Sequence, residues 1–173
     1  MRDALRRATA ADARIIARLN VEGWRGAYRR LLSDDFLDAM SVDELEAVWS
    51  RAIAHGPAEF WILERDDVAL GYIILGPPRD DDLDRATTGE LYAIYVLREH
   101  WGAGAGRALL AHAETRLRAA GCTRAVLWVL EENSRARRFY ETAGWTRDGA
   151  TKVEEVAGAP HTEVRYRTSL AAT

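Results

Sequence analysis

Hydrophobic and polar positions follow two different periods along this chain, and the change of period divides it. Over the first third, apolar residues recur at helical spacing. Thr9-Ala-Ala-Asp12 reads as a helix N-cap with an acid three residues on. Ile15, Ile16 and Leu19 follow on one helix face. The short segment before it, Leu5 to Thr9, is predicted as a first strand. Val21-Glu-Gly-Trp-Arg-Gly-Ala-Tyr28 brings two glycines and two aromatics together, which predicts a helix break or a tight turn. Ser33-Asp-Asp and Ser41-Val-Asp-Glu44 start two further helices. The second is a full capping box leading into Leu45, Val48 and Trp49.

Then the period shortens. Phe60 to Glu64 and Val68 to Leu75 are rich in aliphatic and aromatic residues, with Asp66-Asp67 between them as a hairpin turn. Gly76-Pro-Pro78 ends the second strand, and Asp80, Asp81, Asp82 and Asp84 make an acidic loop expected to be solvated. Glu90 to Leu97 is another strand, followed by glycines at 102, 104 and 106. Ala108 to Ala120 is a helix with Leu109, Leu110, Ala113 and Leu117 on one face and Gly121 as its stop. Ala125 to Leu130 is near-continuously apolar, the mark of a strand buried on both faces. Ser134 to Thr142 is a short helix ended by Gly144, and Glu163 to Leu170 alternates as a last strand. The pattern is α/β, with one strong strand–turn–helix–strand unit in the second half.

Composition narrows the class. The 173 residues suffice for one domain with a core, residues 1–173, and fall short of two. The chain is 48% hydrophobic and 29% charged, as ordinary globular domains are, with a net charge of −3. No basic stripe points to nucleic acid, and no apolar run reaches the roughly 20 residues that cross a bilayer. The N-terminal residues have no apolar signal-peptide core. One cysteine, Cys122, excludes an internal disulfide and fits a reducing cytoplasm. His55, His100, His112 and His161 are scattered, so no metal site is expected.

The candidate chemistry begins at the glycine turn. Glycines between a buried strand and a helix let backbone N–H groups approach a ligand with no Cβ in the way. The helix N-terminus adds free donors and partial positive charge, an anion site suited to phosphate. Arg107 stands ready to add a charged contact. No Lys-Ser/Thr follows, as a nucleoside triphosphate loop requires. Arg107 also occupies the third glycine position of a dinucleotide fingerprint, and the turn lies past mid-chain.

Some thirty residues on stands Asn133-Ser-Arg-Ala-Arg-Arg-Phe-Tyr-Glu-Thr-Ala-Gly-Trp145. Together with Trp101-Gly-Ala-Gly-Ala-Gly106, this segment resembles the paired motifs of the GNAT-family N-acetyltransferases: a [RQ]-x-x-G-x-[GA] loop and a downstream N-x-x-A-x-x-F-Y-x-x-x-G-[FW] run. The resemblance covers about Glu90 to Trp145, the cofactor-binding half. Trp101 stands where the family most often has Arg or Gln, and Arg98 where it often has Pro.

The resemblance implies a single GNAT-like domain, a mixed, twisted sheet with helices on both faces. It also implies acetyl-CoA as co-substrate, without metal. The pyrophosphate would sit on the amides of Gly102, Ala103, Gly104, Ala105, Gly106 and Arg107. The pantetheine arm would pair with backbone groups of Ile94 and Val96, with Tyr95, Trp101, Asn133, Ala136 and Tyr140 as further cofactor contacts. Tyr140 would protonate the leaving thiolate. Glu90 is the candidate base and, by period two, shares a face with Tyr92, Ile94 and Val96. Trp24, Tyr28 and Glu90 fall where the acceptor pocket is expected. The acceptor would be a small-molecule amine or a protein N-terminus, attacking the thioester directly. No nucleic-acid or membrane partner is expected, and a homodimer is left open. The alternative is a non-catalytic acyl-CoA-binding sensor, which needs the glycine cradle but neither Glu90 nor Tyr140.

Overall fold

The computed structural model describes residues 3–171, and its elements start where capping chemistry starts them. Asp12 accepts the N–H and the hydroxyl of Thr9 at 2.8 and 3.1 Å ahead of α1 (Ala13–Tyr28). The Ser33 and Ser41 hydroxyls each accept an N–H three residues on, opening α2 (Asp34–Ala39) and α3 (Val42–His55). The later helices are α4 (Ala105–Ala119) and α5 (Ser134–Thr142).

The strands are β1 (Asp3–Arg7), β2 (Glu59–Arg65), β3 (Val68–Gly76), β4 (Thr88–Val96), β5 (Arg124–Leu130), β6 (Thr146–Val156) and β7 (Ala159–Ser169). They form one mixed sheet in the order β1-β2-β3-β4-β5-β7-β6, in which β4 and β5 are parallel and the other neighbours antiparallel. Asp66 and Asp67 turn the β2–β3 hairpin at φ 48° and 66°. One core layer joins Leu91, Leu127 and Val164 of the sheet to Leu109, Leu110, Ala113 and Leu117 of α4 and to Tyr140 of α5. The other joins Tyr72, Ile74 and Phe60 to Ile16 and Leu19 of α1 and to Trp49 of α3. Helices thus cover both faces, as expected. Among the described residues no helix is long and apolar enough to cross a membrane.

Several expectations need correction. Val21 to Tyr28 is no break: α1 runs through it. A Cβ on Gly23 would lie 3.0 Å from the Cβ of Tyr95, and one on Gly26 would lie 3.5 Å from that of Arg98. The two glycines let the helix press against β4 and the turn after it. The first strand is Asp3–Arg7, ending two residues before Thr9, and α4 begins at Ala105, three residues before the expected Ala108. β6 was not foreseen. Its sequence is polar, it carries Gly149 at φ +96°, and its register with β7 shifts between Arg147 and Thr151. The acidic loop is not simply solvated. Arg165, 6% exposed, donates to Asp80 and Asp82 of that loop and to Asp148 at 2.7–2.9 Å, while Trp128 donates to Asp80 at 2.9 Å.

Candidate active site

The sheet opens in its middle. β4 and β5 pair only from Thr88↔Arg124 to Leu91↔Leu127. Beyond that, Tyr92–Val96 and Trp128–Leu130 line opposite sides of a cleft of about 1000 Å³. A bulge on β4 feeds this opening. Ile74 pairs with Ala93 but Leu75 with Leu91, so Tyr92 is an extra residue. The bulge also breaks the expected alternation. Tyr92, Ala93 and Tyr95 face the α1 layer, while Leu91, Ile94 and Val96 face the α4 layer. Glu90 and Tyr92 therefore do not share a face with Ile94 and Val96.

Beyond the bulge the backbone is available. Leu97 N–H donates to Leu70 of β3 at 2.9 Å. By antiparallel alternation Ile94 and Val96 turn their amides and carbonyls the other way, into the gap. One of these groups is already used: the Trp101 indole N–H donates to the Val96 carbonyl at 2.8 Å. The Arg135 guanidinium lies 3.9 Å over the Trp101 ring.

At the mouth on the α4 side, Gly104 caps α4 at φ +86°, and Gly102 holds φ +79°. The first intrahelical bond runs from Ala108 N–H to the Gly104 carbonyl, which leaves the amides of Ala105, Gly106 and Arg107 without an intrahelical acceptor. A Cβ on Gly102 or Gly104 would meet no protein atom within 4 Å, so the loop is open to a ligand. Arg107, Arg135 and Arg138 line the same mouth. The donors and cations fit a pyrophosphate.

Tyr140 lines the cleft and packs edge-on to Phe139 at 5.3 Å. Burial raises its phenol above the ordinary value, and nearby Tyr28 adds to the rise. Its hydroxyl has no hydrogen-bond partner among the described residues, which leaves an uncommitted donor on a residue that lines the cleft. Asn133 caps α5 by accepting the Ala136 N–H at 3.1 Å.

Trp24 and Tyr28 of α1 line the other end, stacked edge-on at 5.0 Å, and Tyr28 shares a 2.9 Å hydrogen bond with the Tyr95 hydroxyl. Glu163 of β7 and Lys152 and Glu154 of β6 also line the cleft. Burial raises the Tyr28 phenol, and Glu163 is near enough to add to the rise. The alternation over Glu163 to Leu170 foretold part of β7, but nothing in the sequence marked Glu163, Lys152 or Glu154 as cleft residues.

Most expected site residues therefore meet in one cleft. Ala103, Ala105 and Glu90 are the exceptions: none of the three lines it. Glu90 is fully buried, and its carboxylate accepts the Arg79 backbone N–H at 2.8 Å and the guanidinium at 3.0 and 2.5 Å. Arg79 in turn lies 4.6 Å over the Tyr92 ring. Neither a solvated acid nor a free base describes Glu90; it is the anchor of Arg79. Among the described residues no group of His, Cys, Asp and Glu could hold a metal ion.

Comparison with known proteins agrees with this geometry. The Acetyltransferase (GNAT) family model matches residues 21–145. The uncharacterized N-acetyltransferase YuaI of Bacillus subtilis is 33% identical over 129 residues, 75% of this chain and 72% of that one. A mycothiol acetyltransferase of Thermobispora bispora is 34% identical over 91 residues, 53% of this chain but 31% of that one. The structure of yncA from Salmonella typhimurium with its cofactor acetyl-CoA shares the fold, with a TM-score of 0.73 at 22% identity over 100% of this chain and 96% of that one. With a family match across most of its length and a curated relative aligned over three quarters of it, this chain belongs to the GNAT family of acetyl-CoA-dependent N-acetyltransferases.

Proposed function

We propose that the cleft carries out direct acetyl transfer from acetyl-CoA to a primary amine, with the two substrates entering from opposite faces of the sheet. The observation that carries this reading is the opening of β4 from β5 into a cleft that the start of α4, with its free amides, and Tyr140 both line. The first-turn amides of α4 with Arg107 would hold the pyrophosphate. Ile94 and the Val96 N–H would pair with the pantetheine arm as a strand edge pairs with an extended chain. The acceptor amine would enter between Trp24, Tyr28 and Glu163. An alkylammonium must lose a proton before it attacks. Glu163 lines the cleft, paired there with Lys152 at 3.3 Å, whereas Glu90 lies outside the cleft and is held by Arg79, so Glu163 supports that role better.

Tyr140 would give its proton to the departing thiolate. Its raised pKa keeps it protonated over the working range. A thiolate formed between the same apolar walls is also a stronger base than in water, which keeps the two matched. A sensor would need no uncommitted phenol at this point, and that favours the enzyme. The likeness to a mycothiol acetyltransferase supports a small-molecule acceptor over a protein N-terminus. The single cysteine supports a cytoplasmic setting.

Tyr140→Phe tests the reading. CoA release with a panel of primary amines should fall on the order of 10²-fold or more in kcat, with acetyl-CoA affinity nearly kept, because only one hydroxyl is lost. Full turnover in this variant would remove Tyr140 from the mechanism.

A further inference from the structure

Among the 24 lysines and arginines of the chain there is one lysine, Lys152. It stands on β6 opposite Glu163 of β7 and lines the same cleft as Tyr140. Its ammonium lies 3.2 Å from Glu154 and 3.3 Å from Glu163, and 4.6 Å over the Trp128 ring. Ion pairing alone does not explain a lysine here. Elsewhere among the described residues the carboxylates are bridged by arginine, as in Arg6–Asp12, Arg79–Glu90, Arg116–Glu59 and Arg165–Asp148, apart from one contact of His161 with Glu132. Arginine makes such bridges at least as well, since its fork matches a carboxylate with two parallel bonds. What lysine adds is an amine that can shed its proton and attack an acyl group. The side chain is 31% exposed and lines the cleft, with its amine held against carboxylates.

We propose that Lys152 is itself an acceptor, acetylated at Nζ within its own cleft. This rests on the acetyl-transfer reading above. The nitrogen loses one proton to the neighbouring carboxylate and on to water, and its lone pair forms the C–N bond at the thioester carbonyl. The C–S bond breaks, and the second proton reaches the thiolate by way of Tyr140. The products are an amide, free CoA thiol and one proton in solution. Acetylation removes the cation that Glu154 and Glu163 share, so the acceptor end gains one unit of negative charge.

The test is incubation of the whole protein with acetyl-CoA and no added amine, followed by peptide mass spectrometry, with acetyl-CoA binding measured by calorimetry on the same sample. The expected result is one acetyl group on Lys152, appearing at a rate per molecule that does not depend on protein concentration. The Tyr140→Phe variant should label more slowly, on the order of 10²-fold. Lys152→Arg should take up no acetyl group on the β6 peptide. An unlabelled Lys152 in protein that binds acetyl-CoA overturns this inference and leaves the transferase reading standing. Absence of acetyl-CoA binding overturns the transferase reading itself. Equal labelling of the urea-unfolded chain, or a rate proportional to protein concentration, also overturns the inference, since either places the reaction outside the cleft.

Discussion

Glu90→Gln separates a base from an anchor. The carboxylate of Glu90 is fully buried and accepts three hydrogen bonds from Arg79, one from the backbone and two from the guanidinium. Glutamine keeps the shape but replaces one acceptor oxygen with a donor. Whichever way the amide turns, a donor faces either the Arg79 backbone N–H or its guanidinium. Hydrogen bonds to charged groups contribute about 1.5–3 kcal/mol each and neutral ones about 1. The Arg79 side chain is 58% exposed, so water compensates part of the loss on its side. A net cost of about 2 kcal/mol follows, which in a chain of this size lowers Tm by roughly 4–8 °C. The acceptor end should loosen as Arg79 is released from its place over Tyr92, raising KM for the amine. The rising limb of the pH–rate profile should keep its midpoint, because Glu90 does not line the cleft. Thermal unfolding and a pH–rate series on the same variant check both halves. An unchanged Tm with the rising limb abolished would refute the anchor and restore Glu90 as the base.

Two further outcomes follow from the geometry. Gly104→Ala meets no protein atom within 4 Å but must hold φ +86°, so calorimetry should show weaker acetyl-CoA binding beside a stability loss of about 1–2 kcal/mol; unchanged affinity would clear that loop of ligand. The Arg6 hydrogen bonds, working against burial and helped by Thr9, lower the Asp12 carboxyl to about 2, so its stabilisation is present above the unfolded value near 4 and is lost as pH falls towards 2, and Asp12→Asn should cost about 2 kcal/mol near neutral pH with a gap to the parent protein that closes on acidification in urea titrations.

What the sequence made legible was local. Ser33 and Ser41 cap the helices they were expected to cap, because a cap needs only three neighbouring residues. Asp66-Asp67 turn the hairpin for the same reason. The motif pair located one wall of the cleft, since one turn and one short helix carry it. Readings that depended on distant partners failed. Gly23 and Gly26 looked like breakers until β4 and the following turn came to lie against them. The face of Glu90 was misread because the bulge at Tyr92 appears only once β3 sets the register. The aspartates of the 80–84 loop could not be matched to Arg165, more than eighty residues away in sequence for both Asp80 and Asp82. Glu163 and Lys152 belong to a hairpin whose polar first strand hides its period.

The departure at position 101 replaces a motif side chain with a different set of contacts. An arginine or glutamine there would bring a polar side chain to the loop. Trp101 brings an indole whose only donor is spent on the Val96 carbonyl at 2.8 Å. That bond ties the glycine turn to the end of β4, so the amides of the cradle and the open edge of the strand are held relative to each other. The ring then presents a flat face, and Arg135 from the start of α5 lies 3.9 Å above it. Stacking on the indole orders a long side chain that would otherwise lose about 2 kcal/mol of rotamer entropy on binding an anion. The charge is thus supplied from α5, where Arg138 also lines the mouth, and the loop itself is free to consist of small residues and backbone donors.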